Sequence, residues 1–589
     1  MKKLVAFIIA CSFAISLASC SSDKKKSDEL SFDAIDTKNM DLEFTERDKD
    51  GTYEESTATS VILSDSGISV NGNGAEADGN CVTVSDAGVY VISGSATDVS
   101  ITVEAKNTDK IQIILNGATI GNSTGCPLYI KEADKVFLTL AEGSENTVSD
   151  GSDYTQTDAG SEIDGAIFSK ADLTVNGSGI LNVLGNNKHG IVSKDDLVIA
   201  GGELLVISKN VGVCGKDAVK ITDCKITVSA GSDAIRSDNE EDSSCGYVYV
   251  ESGELQLSAM NDGIQAVTLV NISGGTVSVK TSGSASDSSK GIKSDGDITV
   301  SGGVITVSSA DDALHAGSVI TLGGGKLTLT SDDDGVHADS ALSIKGADVT
   351  VTKSYEGLEA SEIEISAGKI SVVASDDGIN AAGGNDSSSQ GGRPGQNNFT
   401  SSSGKIIISG GYLLINSSGD GVDSNGTLHV SGGTVLVSGP TNSGNGALDY
   451  DGTATVTGGV FIALGAAGMA MNFSEAENQA SILTSISAVS SGTNVAITDE
   501  SGVCLAAFTP DKAYNSVMIT APGINKGSTY NLIIGGVPEN ADENGYTSSG
   551  KISGGTSYSI TVSSMIHGSG MGGGFGGGFG GGGRPGRPW

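Results

Sequence analysis

Carboxylates recur at one place in this sequence. Asp233, Asp262, Asp312, Asp334, Glu356, Asp377 and Asp420 each stand immediately before a small residue that an aliphatic one follows, and Lys290 is the single interruption. Second acids crowd the same place, notably Asp311, Asp332, Asp333 and Asp376, with Asp238, Asp295 and Asp339 four residues past the small one. Like charges stacked at strand spacing repel, and divalent cations remove that cost most simply. Calcium is the natural ion, since it takes about six to eight oxygen ligands in flexible geometry, whereas magnesium demands a stricter shell. The column therefore offers Asp233, Asp312, Asp334, Asp377 and Asp420 as expected metal ligands. The same residues suit a second reading, in which Asp and Gly serve tight turns and the acids keep a long surface solvated.

Other constellations carry less. Lys170, Lys194 and Lys216 make a short basic ladder in the early repeats. A lysine acts as a general base only when its pKa is depressed, and Asp172, Asp195, Asp196 and Asp217 nearby act the other way, so ion pairing is expected. Lys293, beside Asp295 and Asp297, is the candidate base if the chain is a calcium-dependent lyase. His315 and His337 hold equivalent outward positions in consecutive repeats and read as polar members of a solvated column. No nucleophile turn leads into a helix, so a Ser-His-Asp arrangement has no support and no catalytic residue is assigned. Flat platforms for sugar rings are scarce: the only tryptophan is Trp589, which leaves Tyr247, Tyr249, Tyr355, Tyr412 and Tyr450.

The elements that must position these residues are repeats. DITVSGGVITVSSADDALHA is followed by VITLGGGKLTLTSDDDGVHA and ALSIKGADVTVTKSYEGLEA, and the small residue recurs at Gly291, Ala313, Gly335 and Gly357, in steps of 22 residues. Within each unit apolar and polar residues alternate and glycines break the alternation, which is strand periodicity with turns. Strands this short bury a face only by stacking coil upon coil, about 4.8 Å apart. The expectation is an all-β chain built as a parallel β-helix of about 22 residues per coil over residues 126–473. Ile292, Leu314, Val336, Leu358 and Ile379 would form an inward ladder. One step, Gly378 to Gly421, is long and contains a low-complexity loop at 382–403. Residues 51–125 read as an N-terminal β cap and first coils, 474–564 as a small C-terminal β region, and 565–589 as a glycine-rich flexible tail.

The start of the chain speaks to compartment. Lys2 and Lys3 precede an apolar run from Leu4 to Leu17 that ends in Leu17-Ala18-Ser19-Cys20, a lipoprotein-type signal over 1–20 with Cys20 as the lipidation site. Residues 21–50 read as a solvated tether, which places the body outside the cytoplasm on a lipid anchor. A net charge of −37 argues against direct binding to nucleic acid or an anionic surface. Of the remaining cysteines, Cys81, Cys126, Cys214, Cys224, Cys245 and Cys504, no two form a CxxC pair, so a structural zinc site of that kind is not expected. A disulfide among Cys214, Cys224 and Cys245 and free buried thiols both remain open.

The phrases KDDLVIAGG (Lys194 to Gly202), GKDAVKI (Gly215 to Ile221), SDAIRSDNEED (Ser232 to Asp242), GDGVDSNG (Gly419 to Gly426) and SGPTNSGNGALDYDG (Ser438 to Gly452) carry a resemblance. Across roughly Asp41 to Gly536 the chain resembles the clostridial cell-surface β-helix proteins called carbohydrate-binding domain-containing. That resemblance implies a right-handed parallel β-helix similar to polysaccharide lyases of family nine, bound calcium, and binding of cellulose and acidic pectic polysaccharide, without implying cleavage. It implies calcium at the acids of the matched phrases, namely Asp233 and Asp238, Asp420 and Asp423, and Asp449 and Asp451. Val211 departs from the acid column and leaves its coil without that ligand.

The expected function is a non-catalytic, calcium-dependent surface lipoprotein that binds pectic or cellulosic polysaccharide. Two rivals stand beside it: a calcium-dependent pectate lyase, and an adhesin or spacer that presents the loop after Ala382 to another protein.

Overall fold

The computed structural model describes residues 37–156, 162–283, 288–382 and 404–568. The regular structure is nearly all β, wound into a parallel β-solenoid of about 15 turns. Each coil has three faces. The first is a short strand such as Leu314–Ala316, the second a strand such as Val319–Leu322, and the third a strand such as Lys326–Thr330.

Alternation in the sequence becomes three apolar ladders. On the first face Ile264, Ile292, Leu314, Val336, Leu358, Ile379 and Val422 succeed one another in parallel register. On the second, Val270, Ile298, Ile320, Leu342, Ile363, Ile406 and Leu428 do the same. On the third run Val277, Ile305, Leu327, Val349, Ile370, Leu413 and Val435. All are buried in one continuous core. No coil can bury its aliphatics alone, so the stacking supplies both the apolar contact and the backbone hydrogen bonds.

The small residue opening the first face is small for a packing reason. A Cβ on Gly291 would come within 2.2 Å of Val307 Cγ1 and 2.5 Å of the Ala313 carbonyl oxygen. The corner between second and third faces needs another conformation: Gly303 and Gly325 both sit at φ +86°, where L side chains are strained. The long step is accommodated without breaking the stack, because Ile379 pairs with Val422 and Ile363 with Ile406 across it. The inserted loop, the signal segment with Cys20 and the tail from Ser569 lie outside the described residues.

The two ends differ from the middle. Thr59–Ser64 and Ser69–Asn71 form an antiparallel hairpin at the first coil. At the other end Val460–Gly465 on the third face pairs antiparallel with Tyr514–Thr520, which pairs with Ser481–Val489. A separate antiparallel sheet is made of Val495–Thr498, Cys504–Phe508, Thr529–Ile534 and Thr556–Thr561. Ile566–His567, at the start of the stretch expected to be tail, adds to Ser481 and Ile482. Cys81, Cys126, Cys214, Cys224, Cys245 and Cys504 are free thiols, and burial pushes those of Cys214 and Cys224 up to about 12.

The stretch expected to be tether is bound over its second half. Glu46–Lys49 forms one helical turn capped by Thr45, and Asp48 is buried against the second face. Asp48 Oδ1 accepts from Thr174 Oγ1 at 2.7 Å and lies 2.8 Å from Lys135 Nζ. Burial would raise that carboxyl, yet the Lys135, Thr45 and Thr174 contacts hold it at about 2. Further along, Lys220 Nζ reaches Asp41 at 3.0 Å, and Tyr247 Oη donates to the Asp41 carbonyl at 2.7 Å. Any tether therefore ends before Met40, since the buried Asp48–Lys135 pair, the contact of exposed Asp41 with Lys220 and backbone acceptors pin residues 41–50 to the coils.

Candidate functional site

The register of the first face turns the periodic acids into a physical column. Asp233, Asp262, Asp312, Asp334, Glu356, Asp377 and Asp420 precede first-face strands that pair coil to coil. Most spend one oxygen on the backbone of the next coil. Asp233 Oδ1 accepts from Asp262 N–H at 3.1 Å, Asp262 Oδ1 from Lys290 N–H at 2.8 Å, and Asp312 Oδ1 from Asp334 N–H at 3.1 Å. Asp334 Oδ1 accepts from Glu356 N–H at 3.1 Å, and Asp377 and Asp420 accept likewise from Asp420 and Gly446. This satisfies backbone donors at the coil corner, so the turn reading of the acids is correct as far as it goes. It leaves the second oxygen for another partner.

A second column decides what that partner is. Three residues past each acid, in the middle of the first-face strand, stand Arg236, Gln265, Lys293, His315, His337, Glu359, Asn380 and Asp423 in register, with Asp449 after Asp423. In the upper coils these side chains and Lys290 supply the cations. Arg236 bridges Asp233 Oδ2 at 3.4 Å and Asp238 Oδ2 at 2.9 Å, so a guanidinium stands where the sequence suggested calcium. Asp312 Oδ2 lies 2.6 Å from Lys290 Nζ and 2.9 Å from His315 Nδ1. Burial would raise Asp312, but His315 and Lys290 hold it below the usual carboxylate range. Asp334 Oδ2 meets His337 Nδ1 at 3.1 Å. Burial disfavours charge on His337, yet Asp334, Asp339 and Glu359 push it up to about 11.

The lower coils are different. Carboxylate oxygens of Asp377, Asp420 and Asp423 lie within 4.8 Å of one another. Among the described residues no Lys, Arg or His forms an ion pair with them, or with Asp449 or Asp451. Burial first, and then mutual repulsion, raises Asp377 and Asp423 to about 8 and Asp420 to about 6. Asp449, next to Asp423 in register, is also raised by burial, and exposed Asp451 adds repulsion on Asp423. Gly419 packs where a Cβ would come 2.3 Å from Oδ1 of both Asp376 and Asp377, so the acids are held close against bare backbone. An all-oxygen, multiply charged donor set of this kind fits a hard cation such as calcium.

Of the nine expected metal ligands, then, Asp377, Asp420 and Asp423 are brought together, Asp449 and Asp451 flank them, and Asp233, Asp238, Asp312 and Asp334 are engaged by the chain's own basic groups. Lys293 stands 3.3 Å from Asp295. Lys194 lies over the Phe168 ring at 5.4 Å, a cation–π contact where ion pairing was expected. The tyrosines are largely spent on the fold: Tyr247 is buried, Tyr412 Oη donates to Asp542, and Tyr450 Oη to the Asn472 carbonyl. Sequence reasoning passed over Glu359 and undervalued His337. The signal was there, in the 22-residue spacing that stacks His315, His337 and Glu359.

Comparison with known proteins gives the family. The family model described as carbohydrate-binding domain-containing protein matches residues 78–335 and 323–520. A carbohydrate-binding domain-containing protein of Acetivibrio thermocellus is 31% identical over 225 residues, which is 38% of this chain and 77% of that one. A solved structure, the polysaccharide lyase-like protein from C. thermocellum as a gadolinium derivative, is 30% identical and covers 41% of this chain and 96% of its own, with a TM-score of 0.39. The chain belongs to the family of carbohydrate-binding domain-containing proteins.

Proposed function

We propose that this protein is a non-catalytic surface lipoprotein, anchored through Cys20, that binds acidic pectic or cellulosic polysaccharide in a calcium-dependent way. The observation that carries the reading is the lower acid cluster: Asp377, Asp420 and Asp423 hold close carboxylates against one another with no basic side chain among the described residues to neutralise them. For Asp233, Asp312 and Asp334 of the same column the protein supplies such a partner.

Asp377, Asp420 and Asp423 would hold the ion, with Asp449 and Asp451 adding negative charge at the rim. Calcium bound there would supply positive charge to which sugar carboxylates can coordinate. The rest falls to the chain itself. The bond from Asp377 Oδ1 to the Asp420 N–H, and from Asp420 Oδ1 to the Gly446 N–H, fixes two of the carboxylates in place, so little ordering remains to be done on binding. Without a cation, a chain of charge −37 repels a polyuronate.

The test is retention of the purified protein, without its signal segment, on polygalacturonate and on cellulose, first with calcium and then with chelator, while the ultraviolet absorbance of the soluble fraction is monitored. Retention that chelator abolishes, with no new absorbance, is the expected result. New absorbance from unsaturated products would instead make it a lyase, and no retention on either material would leave the adhesin or spacer reading.

A further inference from the structure

We propose that Asp334, His337 and Glu359 form a buried site for a divalent ion of the zinc type, separate from the acidic cluster of the lower coils. One donor atom from each lies within 4.8 Å of the others. His337 Nδ1 is 3.1 Å from Asp334 Oδ2 and 3.3 Å from Glu359 Oε2. Donors bound to one small ion at about 2.0 to 2.2 Å in tetrahedral geometry stand on the order of 3.4 Å from one another, and both contacts of His337 already have nearly that spacing.

The surroundings have the form that such an ion needs. Asp334, His337 and Glu359 side chains are 1%, 2% and 8% exposed. Asp334 keeps Oδ1 on the Glu356 N–H, which leaves Oδ2 as a single oriented ligand. The other ring nitrogen of His337 faces Asp339 Oδ1 at 3.4 Å, the carboxylate contact that commonly orients a metal-bound imidazole. The ring itself lies against that of His315, centroids 4.8 Å apart and planes tilted by 41°. The alternative triad of Asp312, His315 and His337 is less suited, because Lys290 Nζ already occupies Asp312 Oδ2 at 2.6 Å.

Charge and an unused acceptor point the same way. Glu356, also buried, brings a further carboxyl against Asp334 and Glu359. Among the described residues His337 faces the carboxyls of Asp334, Asp339 and Glu359, and burial together with the charges of Glu359 and Asp334 pushes the Glu356 carboxyl well above its ordinary range. Asn380 stacks on Glu359 in register and donates from Nδ2 to Glu356 Oε2 at 2.8 Å. Its Oδ1 is buried and has no hydrogen-bond partner among the described residues, a neutral oxygen beside the cluster. An imidazole nitrogen among the donors selects a borderline ion over calcium, which prefers oxygen alone. On binding, the Nδ1–H proton of His337 passes to solvent as the metal–nitrogen bond forms.

The experiment adds zinc to the chelator-treated full protein in the presence of excess calcium, measures binding by calorimetry, and repeats it with cobalt(II) read by visible absorption. Expected are one zinc per chain, a cobalt spectrum of low-symmetry nitrogen and oxygen coordination, and a loss of affinity of about a hundredfold or more in both His337→Gln and Glu359→Gln. Asp339→Asn, which touches only the outer ring nitrogen, is expected to lose about tenfold, and it serves if either ligand variant fails to fold. Asp423→Asn is expected to bind zinc as the parent does. Absence of zinc binding in the parent, or the same affinity and cobalt spectrum in the Glu359→Gln and Asp339→Asn variants as in the parent, would overturn the proposal. Loss of zinc in Asp423→Asn alone would place the ion in the acidic cluster and overturn it too.

Discussion

The outer oxygens of Asp233, Asp312 and Asp334 meet Arg236, Lys290, His315 and His337, whereas from Asp377 to Asp449 the acids meet one another. The backbone role is the same in both stretches: one oxygen accepts the next coil's N–H. What differs most is the register position three residues on, which above is Arg236, Lys293, His315 and His337 with only Gln265 neutral among them, and below is acidic or neutral throughout. A repeat can therefore keep its structural hydrogen bond while its spare oxygen is either consumed by the fold or left for something outside it. Stability and binding are separable along one column for that reason.

The contrast is broken most sharply at Lys290. Replacing it with methionine leaves Asp311 and Asp312 buried without their ammonium, which lies 3.2 and 2.6 Å away. Removing one partner of a buried pair costs about 3 to 5 kcal/mol, so a marked fall in the denaturation midpoint is expected by circular dichroism.

A pH series probes the lower stretch next, against a background in which Asp262, pushed up to about 7 mainly by burial, titrates over the same interval. In the lower coils Asp377 and Asp423 sit at about 8 and Asp420 at about 6, well above the ordinary aspartate range. A carboxyl raised in the folded state binds more protons there than when unfolded, so its contribution is full below about pH 4 and is lost as pH rises through 6 to 8. In chelator, stability is expected to fall by a few kcal/mol over that interval. The measurement is thermal melting from about pH 4 to 8.5, and Asp377→Asn should flatten the slope.

Asp423→Asn is expected to act with opposite sign to Lys290→Met. It removes a repelling charge and should stabilise the calcium-free protein by about 1 to 3 kcal/mol while weakening calcium-dependent retention on polygalacturonate. A destabilised Asp423→Asn in chelator would mean that the lower acids are satisfied by the fold after all. At the small end, Lys225→Ala breaks an exposed contact with Glu203 at 2.9 Å, and no measurable change in melting is expected.

Much of this is legible in the residues alone. The 22-residue step, the inward ladder from Ile292 to Ile379 and the excursion after Ala382 all come from side-chain alternation, which a parallel stack converts directly into register. The acid column is legible for the same reason. Its division is harder to see, because Arg236 lies between Asp233 and Asp238 in sequence as an ordinary neighbour, and only side-chain reach shows that it bridges them. Glu359 escapes notice because its partner His337 belongs to the previous coil. The hold of Asp48 and Asp41 on Lys135 and Lys220 joins residues far apart along the chain, which local composition does not report.

The sequence by itself determined the solenoid, its period and the column of carboxylates that recurs before the small residue, since those depend on nearest-neighbour spacing repeated many times. Only the tertiary structure decided which carboxylates are neutralised and which stand unpaired. That outcome depends on where flexible basic side chains end across coils and on how much water each acid has lost, quantities set by packing in three dimensions.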